Sequence, residues 1–134
     1  MRLPILTLLL LLAQVAFCGL HSAPIVLPAN KIGLPRYNIS SLHVFRSDTN
    51  GHAVPIPYQF DERNNDGDYV LPSGKNPNLR SGNGLFDNHD ELAFMGNDVG
   101  PVTVPKYWPD SVAPSIIYEL KFSNGARAGA VYIA

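Results

Sequence analysis

The sequence predicts a mainly β fold, an antiparallel β-sandwich of immunoglobulin-like or related type with long loops and little helix. Short apolar runs rich in β-branched and aromatic residues are separated at short intervals by Pro, Gly and Asn, a pattern typical of strands and turns. No window of eleven or more residues has a convincing helical period. The 134 residues also include 12 prolines and 11 glycines, and both residue types disfavour long helices.

The amino terminus, residues 1–23, has the pattern of a secretory signal peptide. One basic residue, Arg2, precedes an apolar run over residues 3–17, as in the leaders of exported proteins. The uninterrupted apolar core, residues 5–13, is shorter than the roughly 20 residues that a membrane-spanning helix needs. We therefore expect a secreted or periplasmic protein of the bacterial cell envelope, without a transmembrane helix, in which residues 24–134 form a single β-rich domain.

Cys18 is the only cysteine, so the predicted domain contains neither a disulfide nor a thiolate metal site. The sequence VAFC that ends at Cys18 approaches the lipobox of bacterial lipoproteins. However, Phe17 occupies the position where that motif has Gly, Ala or Ser, which disfavours a lipid anchor. Cleavage after Cys18 and cleavage after Ala23 both stay open.

The charge pattern excludes nucleic acid as a partner and points to one acidic region. Lys and Arg number 10 and Asp and Glu number 11, so the chain lacks the basic stripe of a nucleic-acid binder. The acidic residues cluster between Asp61 and Asp98, whereas the basic ones are scattered. We therefore expect any special chemistry of this chain in the acidic region.

The first predicted hairpin turns at Asn50-Gly51, a pair suited to a two-residue turn. The strand before it lies within residues 39–48, and the return strand is AVPIPYQF, residues 53–60. Pro55 and Pro57 lie on one face of the pleat and lack backbone donors. The return strand is therefore expected at a sheet edge or in a β-rich extension.

Two further strand regions follow. The segment DELAFMGN, residues 90–97, has apolar side chains on both faces, which predicts a strand buried between two layers. Residues 115–134 predict a second hairpin about Asn124-Gly125. The printed sequence stops at VYIA, inside what reads as a strand, so we expect the domain to continue beyond Ala134.

The stretch QFDERNNDGDYVLP, residues 59–72, can be interpreted as a calcium loop or as a plain turn. Calcium loops carry oxygen ligands at positions 1, 3 and 5 and a glycine at position 6. With Gly67 at position 6, all three ligand positions hold oxygen-bearing side chains, but position 12 falls on Ser73 and no helix precedes the loop. An EF-hand is therefore excluded. Asp66-Gly67 is also a good two-residue hairpin turn, and both interpretations stay open.

A calcium ion on a β scaffold would need carboxylates from elsewhere, and GLFDNHDELAFMGNDVG, residues 84–100, offers them just before a predicted strand. Hard oxygen ligands favour Ca²⁺ over zinc. The candidate metal ligands are Glu62, Asn64, Asp66, Asp68, Asp87, Asp90 and Glu91.

Signals for catalysis are weaker. His43, His52 and His89 have no metal-ligand spacing, and no GxSxG nucleophile motif occurs. Paired carboxylates could serve glycoside hydrolysis, but nothing in the sequence sets their separation. Tyr107 and Trp108 lie between prolines, where their rings could stack on a sugar or close one end of the core. No catalytic residue is assigned, and this chain alone is expected not to be an enzyme.

The segments VPIPYQFDERNNDGDYVLP and GLFDNHDELAFMGNDVG resemble the amino-terminal region of a group of uncharacterised exported bacterial proteins, which carry PxQxD and FDxxDELxFMxxDxG segments and are several times longer. The resemblance covers about half of the chain without its leader. It implies a secreted or cell-envelope β-rich protein and joins the two acidic segments into one unit, but it implies no reaction.

Two function classes follow from these observations. The first is an exported non-catalytic β-sandwich module, with Ca²⁺ as a candidate stabilising ion, that binds a glycan or a protein partner. The second is the amino-terminal portion of a larger carbohydrate-active enzyme whose catalytic residues lie beyond Ala134.

Overall fold

The computed structural model describes residues 5–8, 23–123 and 127–134. Within them the fold is mainly β, with several small sheets, mostly antiparallel, and little helix. The elements are β1 (Ile5–Leu8), β2 (Pro24–Pro28), α1 (Ala29–Ile32), β3 (Tyr37–Asn38), β4 (Val44–Ser47), β5 (Ala53–Pro55), β6 (Tyr58–Asp61), β7 (Leu85–Phe86), β8 (Glu91–Met95), β9 (Ile117–Ser123) and β10 (Ala128–Ile133), with 3₁₀ turns at Ile39–Ser41, Leu79–Ser81 and Gly96–Asp98.

The largest sheet, called the first sheet below, has five strands in the order β1-β9-β10-β4-β5. Strands β9 and β10 pair antiparallel over six residue pairs, from Ser123 opposite Ala128 to Tyr118 opposite Ile133. This confirms the strand pairing of the predicted second hairpin. Its turn, at Asn124-Gly125, lies outside the described residues.

The predicted hairpin at Asn50-Gly51 is also confirmed, since β4 pairs antiparallel with β5. Its loop, between Asp48 and His52, has three residues, 49–51, and not the expected two. Asp48 organises the turn, because its Oδ1 accepts hydrogen bonds from the backbone N–H groups of Asn50 and His52, both at 2.8 Å. Gly51 has a φ of 83°, a conformation that glycine adopts without steric cost.

The predicted return strand of this hairpin is divided between two sheets. Strand β5 closes one edge of the first sheet, whereas β6 closes one edge of a second sheet, with strand order β2-β8-β6. Residues Ile56 and Pro57 form the corner between them. The prediction of one continuous strand was therefore wrong, while the expected edge position is confirmed for both halves. Pro55 has no donor for a second neighbour, which explains the edge position of β5, whereas β6 contains no proline.

The segment 90–97 contains β8 (Glu91–Met95), the central strand of the second sheet. Leu92 and Phe94 are buried, but Ala93 is only partly buried and Met95 is 37% exposed. The strand is therefore buried on one face, and the prediction of burial on both faces was wrong. The apolar residues of the outer face lie partly in contact with solvent.

The main core lies where the first and second sheets contribute to one cluster of buried side chains. Phe94 of β8 and Phe122 of β9 meet edge to face, with ring centroids 5.7 Å apart, a geometry that aromatic pairs prefer. The buried members of this cluster are Ile25, Leu27, Ala29, Ile32, Leu42, Val44, Ile56, Phe86, Leu92, Phe94, Tyr118, Leu120, Phe122, Val131 and Ile133.

A smaller cluster joins Ile117, Ala130 and Tyr132, with Val104 and Trp108 packed against it. Trp108 contacts Phe45 edge to face at 5.2 Å, so it serves the core, whereas Tyr107 is 59% exposed.

The described residues include no helix that is long and apolar enough to cross a membrane. Most of the predicted signal peptide, including Cys18 and its candidate lipid anchor, lies outside these residues.

Candidate functional site

The two acidic segments meet at one corner of the second sheet. Strands β6 and β8 pair antiparallel, with Asp61 opposite Glu91, so the residues that follow β6 lie beside those that precede β8. Strand β7 ends at Phe86, shortly before the turn at residues 88–89 that leads into β8. The corner brings together Glu62, Asp87, Asp90 and Glu91, which we call the acidic corner.

Asp90 is the buried centre of the acidic corner, with only 1% of its surface exposed. Its Oδ1 accepts a hydrogen bond from the Arg63 backbone N–H at 2.8 Å, and its Oδ2 accepts one from the Asp87 backbone N–H at 2.7 Å. Burial raises the pKa of this carboxyl above its ordinary value, although both hydrogen bonds act to lower the pKa. Asp90 therefore ties the β6 and β8 segments together through their backbones.

Asp87 and Glu62 hold the neighbouring loop. The amide of Asn83 donates to Asp87 Oδ2 at 3.0 Å and lowers the pKa of Asp87. Arg36 lies 3.5 Å from the same oxygen. Glu62 Oε1 accepts hydrogen bonds from the backbone N–H groups of Asn83 and Gly84, the latter at 2.7 Å. Both carboxylates therefore serve as acceptors for the loop before β7.

Glu91 belongs to a separate ion pair with Arg63. The guanidinium Nη2 of Arg63 donates to Glu91 Oε1 at 2.8 Å, and the hydroxyl of Tyr69 donates to Glu91 Oε2 at 2.9 Å. Arg63 Cζ also lies 4.2 Å from the centroid of the Tyr69 ring, within the range of a cation–π contact. Both carboxylate oxygens of Glu91 are thus engaged, and the Tyr69 ring is fixed in position.

The stretch 62–70 forms a hairpin turn. Asn64 N–H donates to the Asp68 carbonyl, and Gly67 N–H donates to the Asn64 carbonyl, both at 2.9 Å. Arg63 and Tyr69 pair antiparallel across the turn. Asn64 Oδ1 accepts from the N–H groups of Asp66 and Asp68 at 3.0 and 2.9 Å. The predicted hairpin turn is confirmed, but the loop between Asn64 and Asp68 has three residues, 65–67, and not the expected two. Asn64 caps this turn.

The seven predicted calcium ligands are distributed over different partners. Four of them lie in the acidic corner, where Glu91 pairs with Arg63, and Asn64 caps the hairpin turn. Asp66 and Asp68 have exposed side chains on that turn. Among the described residues, no group of three or more His, Cys, Asp or Glu side chains could hold a metal ion. Calcium binding by this loop stays a prediction, and binding would require Asn64 Oδ1 to exchange its backbone donors for the ion.

The three histidines considered for catalysis or metal binding are exposed and lie at separate positions. His43 Nδ1 lies 3.1 Å from the Tyr58 hydroxyl, His52 Nδ1 lies 3.2 Å from Asp48 Oδ2, and His89 Nδ1 lies 3.4 Å from Asp87 Oδ1. Each therefore has its own partner, and they form no common centre.

A groove of about 700 Å³ lies beside the acidic corner. Its wall carries three exposed apolar side chains, Tyr69 (44%), Leu71 (49%) and Leu79 (63%). The polar lining groups are hydroxyl, amide and carboxylate side chains. These are Asn38, Ser40, Gln59, Asp61 and Glu62.

Hydrogen bonds of Asn78 stabilise the loop that forms this groove. Its Nδ2 donates to the Tyr69 carbonyl at 2.8 Å, its backbone N–H donates to the Leu71 carbonyl at 3.0 Å, and its Oδ1 accepts from the Leu71 N–H. The exposed apolar side chains therefore stand on a braced loop.

The sequence interpretation missed Arg63, Tyr69 and Asn78, which organise the groove and its border with the acidic corner. Arg63 is the only basic residue between Asp61 and Asp68, a signal that could have predicted an ion pair with one of the acids. The roles of Tyr69 and Asn78 depend on loop contacts that spacing does not reveal.

No family model, curated protein or solved structure matches the chain. Function must therefore be argued from the site itself.

Proposed function

We propose that this protein is an exported, non-catalytic β-rich module that binds a glycan through the groove beside the acidic corner. The observation that carries the proposal is the position of Tyr69, whose ring faces Arg63 on one side and is 44% exposed. The apolar C–H face of a sugar ring can lie flat on an aromatic ring, while its hydroxyl groups need polar partners. The groove is lined by both an aromatic ring and polar side chains.

The fixed geometry of Tyr69 supports a binding role. Its hydroxyl accepts a hydrogen bond from Arg63 Nη2 at 2.6 Å and donates one to Glu91 at 2.9 Å. A ring that is already immobilised loses little conformational entropy when a ligand stacks on it. Leu71 and Leu79 add apolar area, and the amide of Gln59 and the hydroxyl of Ser40 can hydrogen-bond sugar hydroxyls.

The acidic corner supports a structural role for its carboxylates. General acid or base catalysis needs a carboxyl that can exchange a proton with the substrate. Asp90 is buried and accepts two backbone hydrogen bonds, and Glu91 is neutralised by Arg63. Using either group in catalysis would break contacts that hold the corner together, so we assign no catalytic residue.

We also propose that the first and second sheets are the two layers of an antiparallel sandwich. The contact of Phe94 with Phe122, at 5.7 Å between ring centroids, supports this arrangement. Export to the periplasm or the medium is supported by the leader pattern of residues 1–23. In this proposal the leader is removed during export.

The experiment is a depletion assay with the purified protein and insoluble cellulose, chitin and peptidoglycan. We expect retention on at least one of them. The exchange Leu79→Ser should weaken retention roughly ten-fold, about 1.4 kcal/mol. Val26→Ser is the matched control, because Val26 is also an exposed aliphatic residue, at 49%, and is not part of the groove lining. Equal retention of both variants, or none of the wild type on any polymer, contradicts the proposal.

The alternative function, the amino-terminal portion of a larger carbohydrate-active enzyme, shares the glycan groove. The complete reading frame distinguishes this alternative from the proposed stand-alone module. A catalytic domain encoded after Ala134 favours the alternative, in which this module delivers the enzyme to its polymer.

A further inference from the structure

The first sheet is completed at one side by a strand of the leader. Strand β1 lies parallel to β9, with Ile5 opposite Ile117 and Leu8 opposite Leu120. The strand order places β9 between β1 and β10. When the leader is removed, β9 becomes the edge of this sheet, and the backbone N–H and C=O groups that faced β1 lose their partners.

Strand β9 differs from two of the other edge strands, β5 and β2. Strand β5 contains Pro55, and its Ala53 N–H donates to the Tyr107 carbonyl at 2.7 Å, so this edge is partly covered. Strand β2 begins and ends with proline, whereas β6, like β9, contains none. The prolines of β2 and β5, and the bond from Ala53 to Tyr107, prevent further strand pairing at those two edges. Strand β9 contains no proline over its seven residues.

The side chains of β9 define the chemistry of the strand that fits beside it. Ile117, Leu120 and Phe122 are 2%, 0% and 5% exposed, and they belong to the two core clusters. A neighbouring strand would continue both faces of this sheet and would therefore carry apolar side chains. Strand β1, with the sequence Ile-Leu-Thr-Leu, has this composition.

We propose that the edge of β9 in the processed protein is a strand acceptor, which takes an extended apolar peptide of a partner polypeptide in the parallel register that β1 occupies in the full chain. The leader then has a second role, since it protects this edge until export is complete. Main-chain hydrogen bonds supply the affinity of such strand addition, and alternate side chains supply its specificity. The inference rests on the proposed removal of the leader.

The test uses the full chain with a protease site in place of residues 19–22 and measures amide hydrogen exchange before and after cleavage. The probe is a synthetic peptide in which Ile-Leu-Thr-Leu is flanked by two lysines on each side. Its matched control carries proline in place of threonine. We expect exchange in residues 117–120 to rise about ten-fold on cleavage, to fall again with the probe and to stay high with the control peptide. Exchange in β8 should stay constant throughout.

Three outcomes overturn the proposal. The first is equal exchange in β9 before and after cleavage. The second is a loss of protection in β8 together with β9, which makes the leader a necessary part of the core. The third is a cleaved chain that the probe does not protect, including one that dimerises through β9 and so identifies a second copy as the occupant. Failure of the export proposal is detected separately, by finding the leader intact in the exported chain, and leaves the peptide titration interpretable.

Discussion

Replacing Asp90 with asparagine tests the structural role of the acidic corner. Asparagine has the same shape, but it keeps one acceptor oxygen and places an NH₂ group against a backbone N–H. One of the two bonds, at 2.8 and 2.7 Å, is therefore lost, and a buried donor is left without a partner. Such a loss costs about 1–3 kcal/mol. Since the residue is only 1% exposed, water cannot readily compensate.

The pH dependence of this cost has a definite sign. Burial raises the pKa of Asp90 in the folded protein, so the native state binds the proton more tightly than the unfolded state. The resulting contribution to stability is complete below the ordinary pKa of about 3.9 and is lost as the pH rises through the folded-state pKa. The asparagine side chain of the variant cannot titrate, so the cost of Asp90→Asn should be larger at pH 3.5 than at pH 7.

The assay is urea and thermal unfolding of wild type and variant at the two pH values. The expected change in melting temperature at pH 7 is roughly 4–12 °C for a chain of this size. Asp66→Asn is the control, because Asp66 is exposed on the hairpin turn, and it should change stability by less than about 0.5 kcal/mol. The reasoning is refuted if Asp90→Asn changes stability by less than about 0.5 kcal/mol at both pH values. It is also refuted if the cost of the substitution grows with pH.

Three further predictions concern other parts of the molecule. Tyr132→Phe should cost about 1–3 kcal/mol in urea unfolding, because the Tyr132 hydroxyl donates to Glu119 Oε1 at 3.2 Å in a buried site; a cost equal to that of Tyr107→Phe would contradict this. Gly67→Ala should cost about 1–2 kcal/mol through its φ of 86° alone, since a Cβ there meets no atom within 4 Å. Gly67→Asn should cost less, and the reverse order would be inconsistent with this cause. Calcium binding predicts a melting temperature that rises with Ca²⁺ and no longer does so in Asp66→Ala, and identical melting curves in millimolar Ca²⁺ and in EDTA would reject the ion.

Local turn chemistry was the part of the fold that the sequence predicted well. The chain turns at both predicted pairs, Asn50-Gly51 and Asp66-Gly67, with Gly51 and Gly67 at positive φ, although each loop has three residues and not the expected two. Such turns depend on two to four neighbouring residues, so the sequence contains most of the information. Pro55 likewise predicted the edge position of β5, because its missing N–H removes a donor from that strand.

The assignment of strands to sheets was not predictable in this way. The pattern of residues 53–60 is continuous, yet Ala53 and Tyr58 begin strands of different sheets. The corner at Ile56 and Pro57 depends on which distant strands are available for pairing, namely β4 and β8. Apolar residues on both faces of β8 gave no sign that one face would be left partly exposed.

In the candidate site, too, some features were predictable from the sequence and others depended on long-range strand pairing. The proximity of the two acidic segments was predicted, and the register that sets Asp61 opposite Glu91 produces it. The spacing of oxygen-bearing residues in 62–68 fits both a calcium loop and a capped turn, because Asn and Asp serve in both. The pairing of Arg63 with Glu91 depends on long-range register and could not be predicted from the loop alone.

The most direct measurement of the central claim is the dissociation constant for the glycan polymer that retains the protein, determined by affinity electrophoresis for three tyrosine variants. Tyr69→Ala should weaken binding about ten-fold or more, because it removes the stacking ring, whereas Tyr69→Phe keeps the ring and should stay within about three-fold of wild type. Tyr107→Ala removes an even more exposed ring, at 59%, that is not part of the groove lining, and should leave binding unchanged. Equal dissociation constants for Tyr69→Ala and Tyr107→Ala would contradict the account.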